Sequence, residues 1–368
     1  MTEKRIKMSR TQNKPYREQL GLGCSKPTVV SAPPDFGNIL AVLRRERPSR
    51  PTLFEFFLNG PLYEKLAGLS FPKDSNSLER MRVLISAFKN AGYDYVTVPG
   101  SLFAFPIREH RQEKTKSLTE GSLIHDRKDF EAYDWPNPDD FDYSSLNKIS
   151  SELPDGMKLM VFGPCGVLEN VMQLVGYETI CYIIADDPKL AEDIFEAVGS
   201  RLVRYYELSA IYNTVGVLMS NDDWGFKTQT MLSPNDMRKF VFPWHKQIVS
   251  VAHAAGKPAI LHSCGCLTSV MDDVIDDMGY DGKHSYEDTI QSVESFYAQY
   301  HDRIAVLGGI DLDFICRSTP EKIYRRSKKI LERAESQGAY ALGTGNSVPA
   351  YVPDKNYFAM IQAALDFR

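Results

Sequence analysis

The sequence predicts an α/β protein folded as a closed (β/α)8 barrel behind a leading helix, and three observations predict it. Eight short β-branched or apolar runs punctuate the chain: TLFEFF (52–57), DYVTV (94–98), KLMVF (158–162), GVLMSN (216–221), PAILHSC (258–264), YDGKHS (280–285), RIAVLGG (303–309) and YALGTG (340–345). Helical patterns fill most of the gaps between them, which is the signature of parallel strands joined by crossover helices. No glycine-rich phosphate turn follows the first run, where an open dinucleotide-binding sheet would keep one.

The elements can be justified in order. GNILAVLRRE, residues 37–46, predicts the leading helix. Residues 99–150, rich in Pro, Asp and aromatics, predict a long loop over the top of the barrel. Between 187 and 212, Leu190, Ile194, Phe195, Val198, Leu202 and Tyr205 recur at three- and four-residue spacing, after Asp187 as cap and Pro188 in the first turn. The segment 233–255 opens with Ser233 as N-cap, Pro234 at the first helical position and Asp236 in the first turn. Thr319, Pro320 and Glu321 open a further helix that Gly338 closes.

Composition narrows the class. The 368 residues are 43% apolar and 25% charged, with a net charge of −5, as in ordinary globular proteins. Residues 1–27 hold seven Lys/Arg against Glu3 and Glu18, a net of +5, so the remainder carries −10. We therefore read residues 1–34 as a basic, flexible tail and 35–368 as a single barrel domain. An acidic body argues against nucleic acid as a partner. No apolar run approaches the ~20 residues of a membrane span, and the N-terminus lacks a secretory apolar core. Six scattered cysteines do not make a disulfide framework. The expectation is a cytoplasmic protein without a membrane partner.

A barrel places its chemistry where strands end and loops begin. Here those ends carry Glu55, then Gly163-Pro164-Cys165, Asn221-Asp222-Asp223-Trp224, His262-Ser263-Cys264, His284 to Asp288, Gly309-Ile310-Asp311 and Gly343 to Asn346. Side chains two apart on a strand share a face, so His262 and Cys264 point together into the mouth and Ser263 points away. An imidazole nitrogen and a thiolate make two corners of a tetrahedral zinc site; the alternative is a core histidine beside a small buried cysteine.

Five blocks, VFGPCGVLENVMQLVG, SNDDWGFKTQTMLSPNDMRKFVFPWHKQIV, PAILHSCG, IAVLGGIDLD and ALGTGNSVPAYVP, resemble the uroporphyrinogen decarboxylase superfamily. That superfamily comprises porphyrinogen decarboxylases and cobalamin-linked methyltransferases on a (β/α)8 barrel. The decarboxylases share Arg-Gln-Ala-Gly-Arg after the first strand, an aspartate after the second and a histidine near the last. This chain reads EFFLNG (55–60), TVPGS (97–101) and Thr344 at those places, so the cationic clamp and its acid are missing.

The methyltransferase branch is similar in its His-x-Cys after the fifth strand, which His262 and Cys264 match. Its third position, a distant cysteine, is replaced by Gly-Thr-Gly-Asn at 343–346. The resemblance then implies zinc on His262, Cys264 and a third donor, for which Glu287 comes first, with Asp222, Asp223, Asp311, His284 and Cys266 behind it. It implies that Asp222, Asp223 and Glu287 orient substrate or metal. Glu55, Phe57, Asn59, Trp224, Tyr286, Asp311 and Asn346 would contact the substrate, with Phe56 as a further pocket wall. The implied activity is zinc-assisted methyl transfer between a small methylated compound or thiol acceptor and a corrinoid held by a partner protein; a homodimer is compatible with it. Uroporphyrinogen-type decarboxylation and non-catalytic small-molecule binding are the alternatives.

Overall fold

The computed structural model describes residues 32–72, 77–107 and 122–367. The tail expected over 1–34 lies almost wholly outside the described residues, and so do residues 108–121 of the expected loop. The leading helix forms as Gly37–Leu43 and buries Ile39, Val42 and Leu43. The part of 122–150 after the gap folds into short helical pieces, Arg127–Ala132, Pro138–Asp140 and Ser145–Lys148, instead of remaining an open loop. Asp126 and Asn137 cap the first two of these through their side chains.

Eight parallel strands form the sheet: β1 (Thr52–Leu53), β2 (Tyr95–Pro99), β3 (Lys158–Phe162), β4 (Val215–Asn221), β5 (Ala259–His262), β6 (Gly282–His284), β7 (Ala305–Leu307) and β8 (Tyr340–Leu342). Pairing runs β2-β3-β4-β5-β6-β7-β8-β1, so the last strand returns to the first, as a (β/α)8 barrel requires. Between β1 and β2 no ladder forms among the described residues. Side chains hold that seam instead: the Tyr95 hydroxyl contacts the Glu55 N–H (2.6 Å) and C=O (2.9 Å), and Thr97 donates to the Phe56 carbonyl. Both faces of the sheet are covered, and the strands are accordingly buried and mostly apolar, β7 (AVL) and β8 (YAL) wholly so.

The helices follow their sequence signals. Pro188–Ala210 is capped by the Asp187 side chain on Leu190 N–H (3.0 Å) and buries the predicted Leu190, Ile194, Phe195, Val198, Leu202 and Tyr205. Ser233 caps the next helix through Asp236 N–H (3.1 Å). That helix is not regular, because Met237–Val241 widens into a π segment before Phe242–Ala254. Pro243 has no N–H for the carbonyl four residues back, and a π segment is one way a helix absorbs that loss. The strands are shorter than the sequence runs. After β6 and β7 the backbone turns through positive φ at Ser285 (86°), Gly308 (69°) and Gly309 (111°), which takes the ends out of the ladder and into the mouth.

A candidate metal centre at the barrel mouth

The β4 and β5 ends are drawn together by two glycines in contact. A Cβ on Gly265 would lie 2.0 Å from the Gly225 carbonyl oxygen, so neither position has room for a side chain. This approach extends the pairing beyond the strands, with Asp222 N–H donating to His262 O (3.0 Å) and Gly225 N–H to Cys264 O (3.1 Å). Asp223 is thereby set beside Cys264, whose N–H donates to Asp223 Oδ1 (2.9 Å). Ser263 points the other way and accepts from Trp224 N–H (3.2 Å), the alternation expected of a strand.

Asp223, His262 and Cys264 form a group whose ligand atoms all lie within 4.8 Å of one another. His262 Nε2 is 3.8 Å from Cys264 Sγ and 3.9 Å from Asp223 Oδ1. Tetrahedral zinc with bonds of about 2.0–2.3 Å separates its ligand atoms by roughly 3.4–3.7 Å, so nitrogen, sulfur and oxygen are already near the spacing it needs. The donor set fits zinc. Burial pushes the Cys264 thiol up to about 12, with the Asp223 charge adding to it, and burial pushes His262 down to about 4. The free site therefore holds a thiol and a neutral imidazole, and binding a cation must release the thiol proton.

Two donors meet the sulfur, Asn346 Nδ2 at 3.1 Å and Ser285 Oγ at 3.2 Å. Ser285 is held in its left-handed turn by the buried Lys283 ammonium, which donates to the Ser285 carbonyl at 2.6 Å and lies over the Tyr286 ring. Phe56 packs on the His262 ring and Phe162 on Phe56, with centroid separations of 4.8 and 5.2 Å. Phe57, edge-on to Phe56, is 42% exposed.

The other sequence candidates fall into distinct places. Glu287 is outside the three-residue group; with Tyr286, Asp311 and Asn346 it lines an adjoining cavity of about 610 Å³ that Lys227 and Phe314 also border. The positive φ of Ser285 turns the chain toward β7 and β8 before Glu287 is reached. Asp311 is committed to backbone, accepting from Phe314 and Asp288 N–H at 2.9 Å each. Asn59 caps the helix Gly60–Ala67 through Leu62 N–H (3.0 Å). Trp224 is fully buried against Phe242 and His245. Asp222 is also fully buried, and its oxygens accept from Leu168 N–H, Glu169 N–H and His245 Nε2, each at 2.9 Å. His245 in turn meets Ser220 and Tyr280. The Ser-His-Asp order has the look of a hydrolytic triad, but every member is sealed from solvent, so it serves as an anchor.

Glu55 is fully buried. Its Oε2 accepts from Thr344 N–H (3.2 Å), and its Oε1 contacts Thr344 Oγ1, which also lies 2.6 Å from the Asn346 carbonyl. A hydroxyl has one proton and a carbonyl can only accept, so the proton between Glu55 and Thr344 belongs to the carboxyl. Burial agrees, raising the group from 4.5 to about 8. Because the folded state holds this proton more tightly than the unfolded chain, the contribution is fully present below pH 4.5 and declines until about pH 8. Glu55→Gln keeps both hydrogen bonds and should remove that decline. At about 1.4 kcal/mol per pKa unit, it should stabilise the fold by a few kcal/mol at pH 8 relative to pH 4.5, read from urea midpoints at the two values.

Sequence reasoning missed Glu169. Burial, with the charges of Asp222 and Asp223 next, raises it to about 8. The signal was present as a glutamate three residues after Gly166, the pattern in which an N3 carboxylate returns to the N-cap N–H, here at 3.3 Å.

With this geometry in place, comparison with known proteins places the chain. No curated protein matches its sequence. Among solved structures it is similar to a methyltransferase from Methanosarcina mazei, with TM-score 0.67 and 16% identity over 90% of this chain and 98% of that one. A structure described as a vitamin-B12-independent methionine synthase from Listeria monocytogenes gives TM-score 0.47 and 11% identity over 87% and 97%, and nothing rests on it. The uroporphyrinogen decarboxylase (URO-D) family model matches residues 85–367, and the chain belongs to that family.

Proposed function

We propose that the protein is a zinc-assisted methyltransferase of this family, acting between a small methylated compound or thiol and a corrinoid carried by a separate protein. The observation that carries the reading is the Asp223, His262 and Cys264 group at the mouth, in which a carboxylate stands in for the distant cysteine as third ligand. Zinc held there would supply Lewis acidity toward a substrate oxygen or keep an acceptor sulfur as its thiolate. The protein's own part is to fix the three ligands, to exclude water with Phe56 and Phe162, and to present the cavity lined by Tyr286 and Asn346. Hydrogen bonds from Asn346 and Ser285 occupy the Cys264 sulfur and lower its own nucleophilicity, so that it is not itself methylated. The M. mazei neighbour, a methyltransferase by its description, agrees with this reading.

Decarboxylation of a polycarboxylate fits less well. Asp223 stands at the mouth and Glu287 and Asp311 line the adjoining cavity, where Lys227 is set against them, while the neighbouring Lys283 spends its ammonium on backbone carbonyls. Anionic substrates need paired cations when they are desolvated. The test combines metal content by inductively coupled plasma mass spectrometry with visible-absorbance assays of methyl transfer from methylcobalamin to thiols, and from methoxy compounds to reduced cobalamin. Zinc near one equivalent together with cobalamin turnover is the expected result. Metal-free protein that releases carbon dioxide from a porphyrinogen would overturn the reading, and inactivity in both assays would leave a binding protein.

A further inference from the structure

The group above explains which atoms could hold a cation but not why His262 should offer Nε2. A neutral imidazole has two tautomers, and only the one with its proton on Nδ1 leaves the Nε2 lone pair free. We propose that His284 is a positioning residue that holds His262 in the Nδ1–H tautomer, aimed at Asp223 and Cys264.

The argument is one of donors and acceptors. His284 Nε2 lies 3.3 Å from the Thr344 carbonyl oxygen, and its Nδ1 lies 2.8 Å from His262 Nδ1. A carbonyl only accepts, so the His284 proton is on Nε2. The partners of its two nitrogens are a carbonyl and an imidazole, neither of which carries a negative charge to support a second proton. His284 Nδ1 is then an acceptor, and the proton in the 2.8 Å contact must come from His262 Nδ1. His262 Nε2 is left with its lone pair, 3.8 Å from Cys264 Sγ and 3.9 Å from Asp223 Oδ1.

Packing leaves little freedom to undo this arrangement. His284 is fully buried and packs at a tilt on Phe54 with centroids 4.9 Å apart, and His262 packs against Phe56. A Cβ on Gly308 would lie 2.3 Å from the Thr344 carbonyl and 3.0 Å from the His284 ring, so the glycine is what lets ring and carbonyl meet. The same Thr344 that supplies this carbonyl also contacts, through its hydroxyl, the backbone oxygen of Asn346, whose amide holds Cys264. Thr344, within the 343–346 stretch where the resemblance would place the distant cysteine, thus orients the supports of both remaining ligands instead of binding metal itself.

The consequence for metal binding rests on the function proposed above, whereas the tautomer does not, and the experiment separates them. The metal-free full-length protein is labelled with 15N-histidine, and the His262 signals, assigned by their loss in His262→Gln, report which nitrogen is protonated. The inference expects protonated Nδ1 and bare Nε2 in the wild type, a tautomer mixture in His284→Phe, and return of the wild-type pattern in His284→Gln, whose amide oxygen can accept. Cobalt(II) affinity should fall about 10–100-fold in His284→Phe and recover in His284→Gln, the range typical of groups that orient a metal-bound histidine. Protonated Nε2 in the wild type, or an Nδ1–H pattern unchanged by His284→Phe, would overturn the inference. The wild-type spectrum decides even if the phenylalanine variant does not fold. A correct tautomer in protein that takes up no metal would support the positioning role and sink the metal reading alone.

Discussion

His262→Ala and Cys264→Ser are each expected to strip zinc from the purified protein, with affinity falling by more than about 100-fold, beyond the effect of losing a mere supporting group. Asp223→Ala should do the same, because Asp223 Oδ1 is the oxygen that faces both other ligands. Glu287→Ala should leave zinc content unchanged, since the chain turns away at Ser285 before Glu287 is reached. Metal analysis of the four variants therefore discriminates between the two candidate third ligands. Zinc lost in Glu287→Ala and kept in Asp223→Ala would reverse the assignment. Binding should also weaken as pH falls, because the Cys264 thiol proton, held tightly by burial, must leave for the cation to enter.

Asp222→Ala is expected to lower stability by roughly 3–5 kcal/mol, the cost of removing one partner from a fully buried polar pair. The substitution leaves Leu168 N–H, Glu169 N–H and the His245 ring without their acceptor in a region that water does not reach. It would also leave space where Gly166 now packs, since a Cβ there would lie 2.0 Å from the Asp222 side chain. A thermal midpoint lower by roughly 4–6 °C is the corresponding readout. The same variant should take up zinc while folded. Loss of metal without loss of stability would mean that Asp222 belongs to the site and is not its scaffold.

These two neighbours show where sequence reading stops. Asp222 and Asp223 are both carboxylates at the end of β4, and sequence gave them the same role. Alternation along the strand sends one into the layer between barrel and helices, where it caps residues 168 and 169, and the other into the mouth. Asn59 and Asp311 show a related effect: each begins a helix, and its side chain accepts from backbone N–H groups there. Trp224 is taken into the core by the contact of its flanking loop with the β5 end.

The sequence by itself determined the barrel, the order of its strands, the caps at Asp187 and Ser233, and the pairing of His262 with Cys264 on one face. All of these depend on spacing within a few residues, which periodicity and capping chemistry make readable. Only the tertiary structure decided that Asp223 joins them, that Glu55 is a buried acid tied to Thr344, and that His284 stands behind His262. Each of those contacts joins residues 22 to 289 positions apart. They are set by how neighbouring strand ends turn at Gly225, Gly265, Ser285 and Gly308, and local pattern carries no record of that three-dimensional register.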